Sequence, residues 1–472
     1  MSAIFLRRGN LALGLNMGPE KKPLSVKKIF VDGLFGYTSY ELPAKDEEER
    51  KSIDDFFILY GDNGCGKTTI LNLLYSIIVP ERVSGAKTLI ANTSFKEFSV
   101  TFFNDTKISA TRVGVNNVGS YCLSISKKNG CEFSLDIIVG DSGDIDTDIT
   151  SYLTAIRELN LSVYFLRDDR RALEVRGQRD AHLGYHLDER GVPQRLKSVI
   201  PQERSHHLDI APILERVMDW VRRQTIRGSS RGEKDIETIY KEIIYGIARP
   251  HSNKHEEGAS SLDELFERAT ALREKTEQFS RYGLIREFQS QELIDIAESA
   301  AETSRGLIAT VLRPYVEGVE ARVRALTHVY NIMNRFIETI EPLLLPKKIR
   351  FTITHGIKIH DKRGREINPN LLSSGERQII LLFCHAVLVG NKPAIMIIDE
   401  PELSLNIKWQ RDLLMSFARL TADSPVQFIL ATHSLEVLAK HRASAVYMND
   451  TFKEVESAAI EECSEEDADN AE

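Results

Sequence analysis

The sequence predicts an α/β fold that is split along the chain, its two halves separated by a helical insert. Three observations carry this expectation. A continuous apolar run, Phe56-Phe57-Ile58-Leu59-Tyr60, leads straight into a glycine-rich turn and then an apolar helical stretch from Thr68 to Ile78. Strand-like runs return at Arg350–Ile359, Ala394–Ile398, Gln427–Ala431 and Ala445–Met448. Between the two regions, apolar residues recur at spacings of three, four and seven, the period of amphipathic helices. The corresponding division is a first half over 1–205, a helical insert over 206–345, a second half over 346–455 and an acidic tail over 456–472.

Taken in order, Leu24 to Leu42 alternates in short apolar pieces broken by Gly33 and Gly36, as two strands and a turn would. Phe56–Tyr60 reads as a strand buried on both faces. Phe95–Phe103, Tyr121–Ser126, Cys131–Val139 and Leu161–Leu166 follow as strands, with Lys127–Gly130 as a turn. The insert carries two stripes. One is Leu262, Leu265, Phe266, Ala269, Leu272 and Phe279; the other runs from Ile308 through Val311, Tyr315, Val319, Val323, Leu326 and Met333 to Ile340. At ~1.5 Å per residue the second stripe spans about 50 Å. Pro314 either kinks this helix or marks its start. A bundle packed on the rest of the molecule is expected, rather than a free coiled coil.

Composition narrows the class. At 472 residues the chain exceeds what one core supports, and its 42% hydrophobic and 28% charged content is that of an ordinary globular protein. The formal charge of -8 is concentrated in the last twelve positions, which hold seven acidic residues and no basic one. The remaining 62 acidic and 61 basic residues nearly balance, so the tail reads as a solvated end. Cys65, Cys122, Cys131, Cys384 and Cys463 form no CxxC pair and are odd in number, which fits a reducing compartment. No run reaches 18 apolar residues, so a cytoplasmic protein without a membrane partner is expected.

Three short segments carry chemistry. Gly61-Asp62-Asn63-Gly64-Cys65-Gly66-Lys67-Thr68 fits G-x-x-x-x-G-K-[ST] between a buried strand and a helix. Gly61, Asn63, Gly64 and Gly66 let backbone N–H groups curl around phosphates, and the helix N-terminus adds its dipole. Lys67 is placed to reach the β- and γ-phosphates. The Thr68 hydroxyl is placed to join a Mg²⁺ shell, with Thr69 lining the same turn. Ala394 to Asp399 is an apolar strand ending in Asp399-Glu400-Pro401. Asp399 suits Mg²⁺, and Glu400 suits the orientation of an attacking water. Ser373-Ser374-Gly375-Glu376 opens a helical stretch, Ile379 to Val389. Hydroxyls and free N–H groups there suit an anion, and equally suit a cap formed with Glu376.

The segment Leu372 to Gln378 resembles the signature of ABC ATPases, which grips the γ-phosphate of ATP bound to the opposite subunit. Further matches follow in the family's order: Ser404-Leu405-Asn406 where the D-loop stands, and Thr432-His433-Ser434 with the switch histidine. The resemblance covers roughly residues 24–105 and 350–450. It implies an ABC-type P-loop ATPase that sandwiches ATP and Mg²⁺ head-to-tail between two copies. Catalysis is then assigned to Glu400 and His433, and γ-phosphate contacts to Ser373, Ser374, Gly375 and Glu376. Asn406 departs from the histidine of many relatives. No glutamine stands clearly in a Q-loop; Asp168 or Asp169 takes that place, or the run Arg167 to Arg171 is only a charged surface.

About 300 residues separate Lys67 from Ser373, which is unlike transporter ATPases and similar to the Rad50, SMC and RecF group. The phrase Asp399 to Leu405, with Trp409-Gln410 after it, looks like the standalone ATPases of OLD type. The layout is most similar to the ATPase subunit (AriA) of PARIS anti-phage defence systems. That resemblance implies a homo-oligomer, up to a hexamer of ATPase dimers, which restrains a separate Toprim nuclease until a phage protein is sensed. Septu-type ATPases are the rival within this class, and a DNA-binding repair ATPase of RecF/SMC type is the rival outside it. The Arg-rich stretches 167–179 and 222–234 would serve that second role, although their mixed charge favours a solvated face. The Asp141–Asp148 cluster is read as a turn and His206-His207 as non-metal, so no nuclease is expected in the chain itself.

Overall fold

The computed structural model describes residues 25–43, 55–80, 83, 85–114, 116–127, 130–140, 145–167, 172–174, 185–187, 193–195, 210–248, 257–301, 304–390, 393–422 and 424–448. The first half comprises β1 (Val26–Leu34), β2 (Thr38–Leu42), β3 (Phe56–Tyr60), α1 (Lys67–Ile78), α2 (Ala86–Asn92), β4 (Glu97–Phe102), β5 (Lys107–Arg112), β6 (Tyr121–Lys127), β7 (Gly130–Ile137), α3 (Thr150–Glu158), β8 (Ser162–Leu166), β9 (Ala172–Glu174), and the small hairpin β10 (Tyr185–Leu187) and β11 (Pro193–Arg195). Four helices follow: α4 (Ala211–Ala248), α5 (Glu257–Ser280), α6 (Ser290–Glu298) and α7 (Arg305–Leu344). The chain then forms β12 (Lys348–Thr352), β13 (Gly356–His360), β14 (Glu366–Ile367), α8 (Ser374–Val389), β15 (Ala394–Asp399), α9 (Ile407–Leu420), β16 (Val426–Thr432), α10 (Leu435–Leu438) and β17 (Ala445–Tyr447).

The two halves close into one sheet of order β17-β3-β16-β15-β8-β9, parallel except for β9. Every residue of β15 and β16 is buried, which is why both read as unbroken apolar runs. Pleating divides their side chains between two cores. Ile395, Ile397, Ile429 and Ala431 join α1, α3 and the antiparallel sheet β2-β1-β4-β5-β6-β7. Met396, Ile398, Phe428 and Leu430 join α4, α7, α8 and α9. The insert is therefore a helical layer on one face of the parallel sheet, sharing its core. Buried Gln427 on β16 ties the two sheets together: its Oε1 accepts from Val26 N at 2.7 Å and its Nε2 donates to Val26 O at 2.9 Å.

The structure refines the reading of the second long helix in two respects. Of the two roles expected for Pro314, marking the start of the second long helix is ruled out, because α7 begins nine residues earlier at Arg305 and continues past it. The apolar stripe of α7 is also not uniformly buried. Val323, Leu326, Met333 and Ile340 are core, whereas Leu307, Val311 and Tyr315 are exposed. The C-terminal part of α7 lies in the core shared with α8 and α9, and the first third lacks that second layer. Strand β5 went unread because KISATR has few apolar residues; its pairing with β4 and β6 decides its conformation.

Buried Arg112 on β5 fastens the β-lobe. Its guanidinium donates to the carbonyls of Ile90, Ala91, Thr93, Phe95 and Gly119 and lies 4.3 Å from the Phe95 ring centroid. Arg112→Met removes all of these donated hydrogen bonds at once, so it should lower unfolding free energy by about 3 kcal/mol in urea denaturation. A loss under about 0.5 kcal/mol, the usual range of a surface substitution, would contradict this role.

Candidate functional site

Parallel pairing fixes the site. Thr432 pairs with Tyr60 across β16 and β3, and Ala431 pairs with Asp399 across β16 and β15. The strand ends leading to the P-loop, to Asp399-Glu400 and to His433 therefore share one edge, with β16 in the middle. Adjacent strands lie about 4.8 Å apart, and ligands of open α/β sheets bind at this carboxyl edge.

The loop after β3 is shaped for an anion. Gly64 and Gly66 have φ of 90° and 93°, a region open to glycine and strained for other residues. No side chain caps α1, whose N-cap is Gly66 itself, so its first N–H groups are left for a ligand. Lys67 is buried and donates from Nζ to the carbonyls of Gly61 and Asp62, each at 2.8 Å. Asn63, Gly64 and Thr68 are exposed, Gly61 and Thr69 half-buried. The uncapped helix and the positive-φ glycines fit a nucleotide phosphate, and buried Asp399 ends a strand on the same sheet edge.

At the next two strand ends the carboxylates gather. Asp399 is buried at the tip of β15. Glu400 adopts φ 47°, and its N–H donates to Ala431 O at 2.9 Å, which turns the chain sharply after the strand. Its Oε2 lies 2.5 Å from Nδ1 of His433. Burial and the neighbouring Glu402 carboxylate push the Glu400 carboxyl up to about 7, with His433 acting in the opposite sense. One carboxylate oxygen from each of Glu400 and Glu402 and a ring nitrogen of His433 lie within 4.8 Å of one another, so the three could also hold a divalent cation.

Glu402 was not singled out in the sequence, yet it is the buried hub of this corner. Gln410 was noted only for its place after the acidic motif. Its Oε1 accepts from Ser434 Oγ at 2.7 Å, and its Nε2 donates to Leu405 O at 2.9 Å. No spacing signal marks either role, which arises only when α9 packs beside the end of β16.

The segment from Ser373 opens α8 with a capping box: Ser373 N donates to Glu376 Oε2 at 2.8 Å, and Glu376 N donates to Ser373 Oγ at 3.3 Å. Burial acts to raise the Glu376 carboxyl, but hydrogen bonds from Lys347 and Ser373 hold it below its ordinary value. Lys347 Nζ reaches both Glu376 oxygens at 2.6 and 2.7 Å. Glu376 is thus engaged in the cap, whereas Ser373 and Ser374 are exposed. Asn406 caps α9 by accepting from Trp409 N at 2.9 Å. Asp168, Asp169, Asp141, Asp144, His206, His207 and the acidic tail lie outside the described residues.

Gly375 is required by contact. A Cβ there would stand 2.6 Å from Ser404 O and 3.1 Å from Trp409 Cζ3. Gly375→Ala should force α8 away from the 404–409 loop and lower stability by about 2 kcal/mol, measurable by urea denaturation. Unchanged stability would show that the loop gives way freely.

Residues 208–439 match a family model described as "AAA domain, putative AbiEii toxin, Type IV TA system". The chain is 29% identical over 181 residues to the oligopeptide transport ATP-binding protein OppD of Mycobacterium tuberculosis, a stretch covering 36% of this chain and 28% of that protein. It is 27% identical over 113 residues to the DNA double-strand break repair Rad50 ATPase of Sulfurisphaera tokodaii, covering 23% of this chain and 13% of that protein. The chain thus spans less than a third of the length of these curated relatives. Both relatives are named for ATP binding or for ATPase activity, and the P-loop segment of this chain is compatible with the same ligand. Among solved structures, the Smc head domain with an extended coiled coil, bound to the C-terminal domain of ScpA and derived from Pyrococcus furiosus, aligns over 90% of this chain and 94% of that one. Its identity is 14% and its TM-score 0.35. The SMC head domain from Thermotoga maritima aligns over 88% and 92%, with 13% identity and a TM-score of 0.29. Among the described residues no helix is long and apolar enough to cross a membrane.

Proposed function

We propose that the chain hydrolyses ATP in a site completed by a second copy, and uses that cycle to control a separate effector. The observation carrying this reading is the single sheet edge shared by the P-loop, Asp399-Glu400 and His433, with Glu400 Oε2 2.5 Å from the histidine ring. Lys67 leaves the carbonyls of Gly61 and Asp62 to meet the β- and γ-phosphates, and the N–H groups at the start of α1 take the remaining oxygens. Thr68 and Asp399 would hold Mg²⁺, which would supply neutralising charge at those phosphates. Glu400 accepts a hydrogen bond from the attacking water and aligns it, and His433 orients Glu400 and faces the γ-phosphate. Ser373, Ser374 and Gly375 serve the partner's nucleotide: two exposed hydroxyls and the dipole of α8 suit an anion arriving from outside the chain.

For the cellular role we favour an anti-phage regulator of the PARIS type, an oligomer that restrains a Toprim nuclease until a phage-encoded trigger is bound. Its support is the insert packed as a compact helical layer, together with a family match whose description belongs to toxin–antitoxin systems. The similarity to a Rad50 ATPase favours a second reading, a DNA-repair ATPase. Strong stimulation of turnover by duplex DNA, with steep salt dependence, would select the repair reading; fixed-stoichiometry copurification with a neighbouring nuclease would select defence.

Glu400→Gln should reduce turnover at least about 100-fold while ATP still binds. Turnover near wild type would remove Glu400 from catalysis. Lys67→Ala and Ser373→Arg should each be inactive alone. Mixed, they should recover up to about a quarter of wild-type activity through one intact composite site, as random pairing of two subunits allows. No recovery in mixed dimers shown to form would exclude sharing between copies.

A further inference from the structure

Glu402 lies two residues beyond Glu400 and is buried. One of its oxygens, Oε1, accepts from three consecutive residues at the end of β16 and just after it: the Thr432 hydroxyl, His433 N at 3.1 Å and Ser434 N at 3.2 Å. The same oxygen lies 3.4 Å from His433 Nδ1. Ser434 is held from the other side by Gln410, whose amide also grips Leu405 O in the stretch that follows Glu402. The loop after β16 is thus fixed to the loop after β15 through side chains, at the point where the strand ladder between them has ended.

We infer that Glu402 is a positioning residue of the ATPase cycle, clamping the 432–434 loop so that the His433 ring meets Glu400 in working geometry. This inference rests on the catalytic reading of Glu400 and His433. A buried carboxylate accepting several hydrogen bonds from one loop over-determines that loop's place, and displacement of about 1 Å near reacting groups costs on the order of 100-fold in rate. The chemistry required of residue 402 is an acceptor at the right reach, because three donors converge on one oxygen. A glutamine supplies that oxygen through its amide carbonyl. An aspartate keeps the charge and withdraws the oxygen by one methylene.

The test is steady-state ATP hydrolysis and ATP affinity of the full-length chain carrying Glu402→Asp or Glu402→Gln, alone and with His433→Ala. Glu402→Asp should lower kcat about tenfold to a hundredfold while ATP Kd stays within about twofold. Glu402→Gln should run at least about tenfold faster than Glu402→Asp. In the His433→Ala background, Glu402→Asp should cost much less than it does alone, since it acts largely through the histidine. An active aspartate variant beside a slow glutamine one would show that charge rather than reach matters, and would overturn the inference. So would full additivity with His433→Ala. A wild-type chain without turnover, or a His433→Ala variant of wild-type rate, would instead sink the catalytic reading and this inference with it.

Discussion

The structure depends on one constraint, the in-register parallel pairing of β3, β16 and β15. These strands come from residues 56–60 and 394–432, more than 300 positions apart, and only their pairing makes one site of three loops. Because the middle strand is buried on both faces, register cannot slip without turning core side chains toward the wrong layer. The P-loop, the carboxylates and His433 therefore inherit their relative places from hydrophobic packing, and the polar contacts refine them.

Polar refinement is concentrated where the ladder stops. Past the bond from Glu400 N to Ala431 O the ladder between these two segments ends, and Glu402 with Gln410 continues to tie them together. On the helical side, the start of α8 is held by Glu376 and Lys347 and pressed against Ser404 at Gly375. Ser373 and Ser374 stay exposed at this rigid helix end, as contact with a second copy would require. The insert shares a core with α8 and α9, so movement of its long helices has a direct mechanical route to that end.

Much of this was legible in the sequence because the informative residues are contiguous. Phe56 to Thr68 and Ala394 to Glu400 each carry strand, turn and candidate site residues within a few positions, and Thr432-His433-Ser434 stands at the end of a buried strand. The long helices were visible through their period, but the exposure of Val311 and Tyr315 in the first third of α7 was not, since both keep the spacing of the core stripe. Glu402, Lys347, Gln410 and Arg112 escaped because their roles are tertiary. Each looks like an ordinary polar surface residue until distant segments bring donors or carbonyls to it. Ser373 and Glu376 were ambiguous between anion site and helix cap, and the capping box shows that the second role is present whatever ligand the first one takes.

The central claim is that ATP is enclosed between two copies at this sheet edge. Sedimentation equilibrium of the Glu400→Gln chain tests it most directly, comparing saturating ATP and Mg²⁺ with ADP and Mg²⁺. The account predicts that ATP doubles the mass of the smallest assembled unit relative to ADP, and that Ser373→Arg abolishes the doubling without loss of ATP binding. A mass unchanged by bound ATP, or a doubling indifferent to Ser373→Arg, would contradict it.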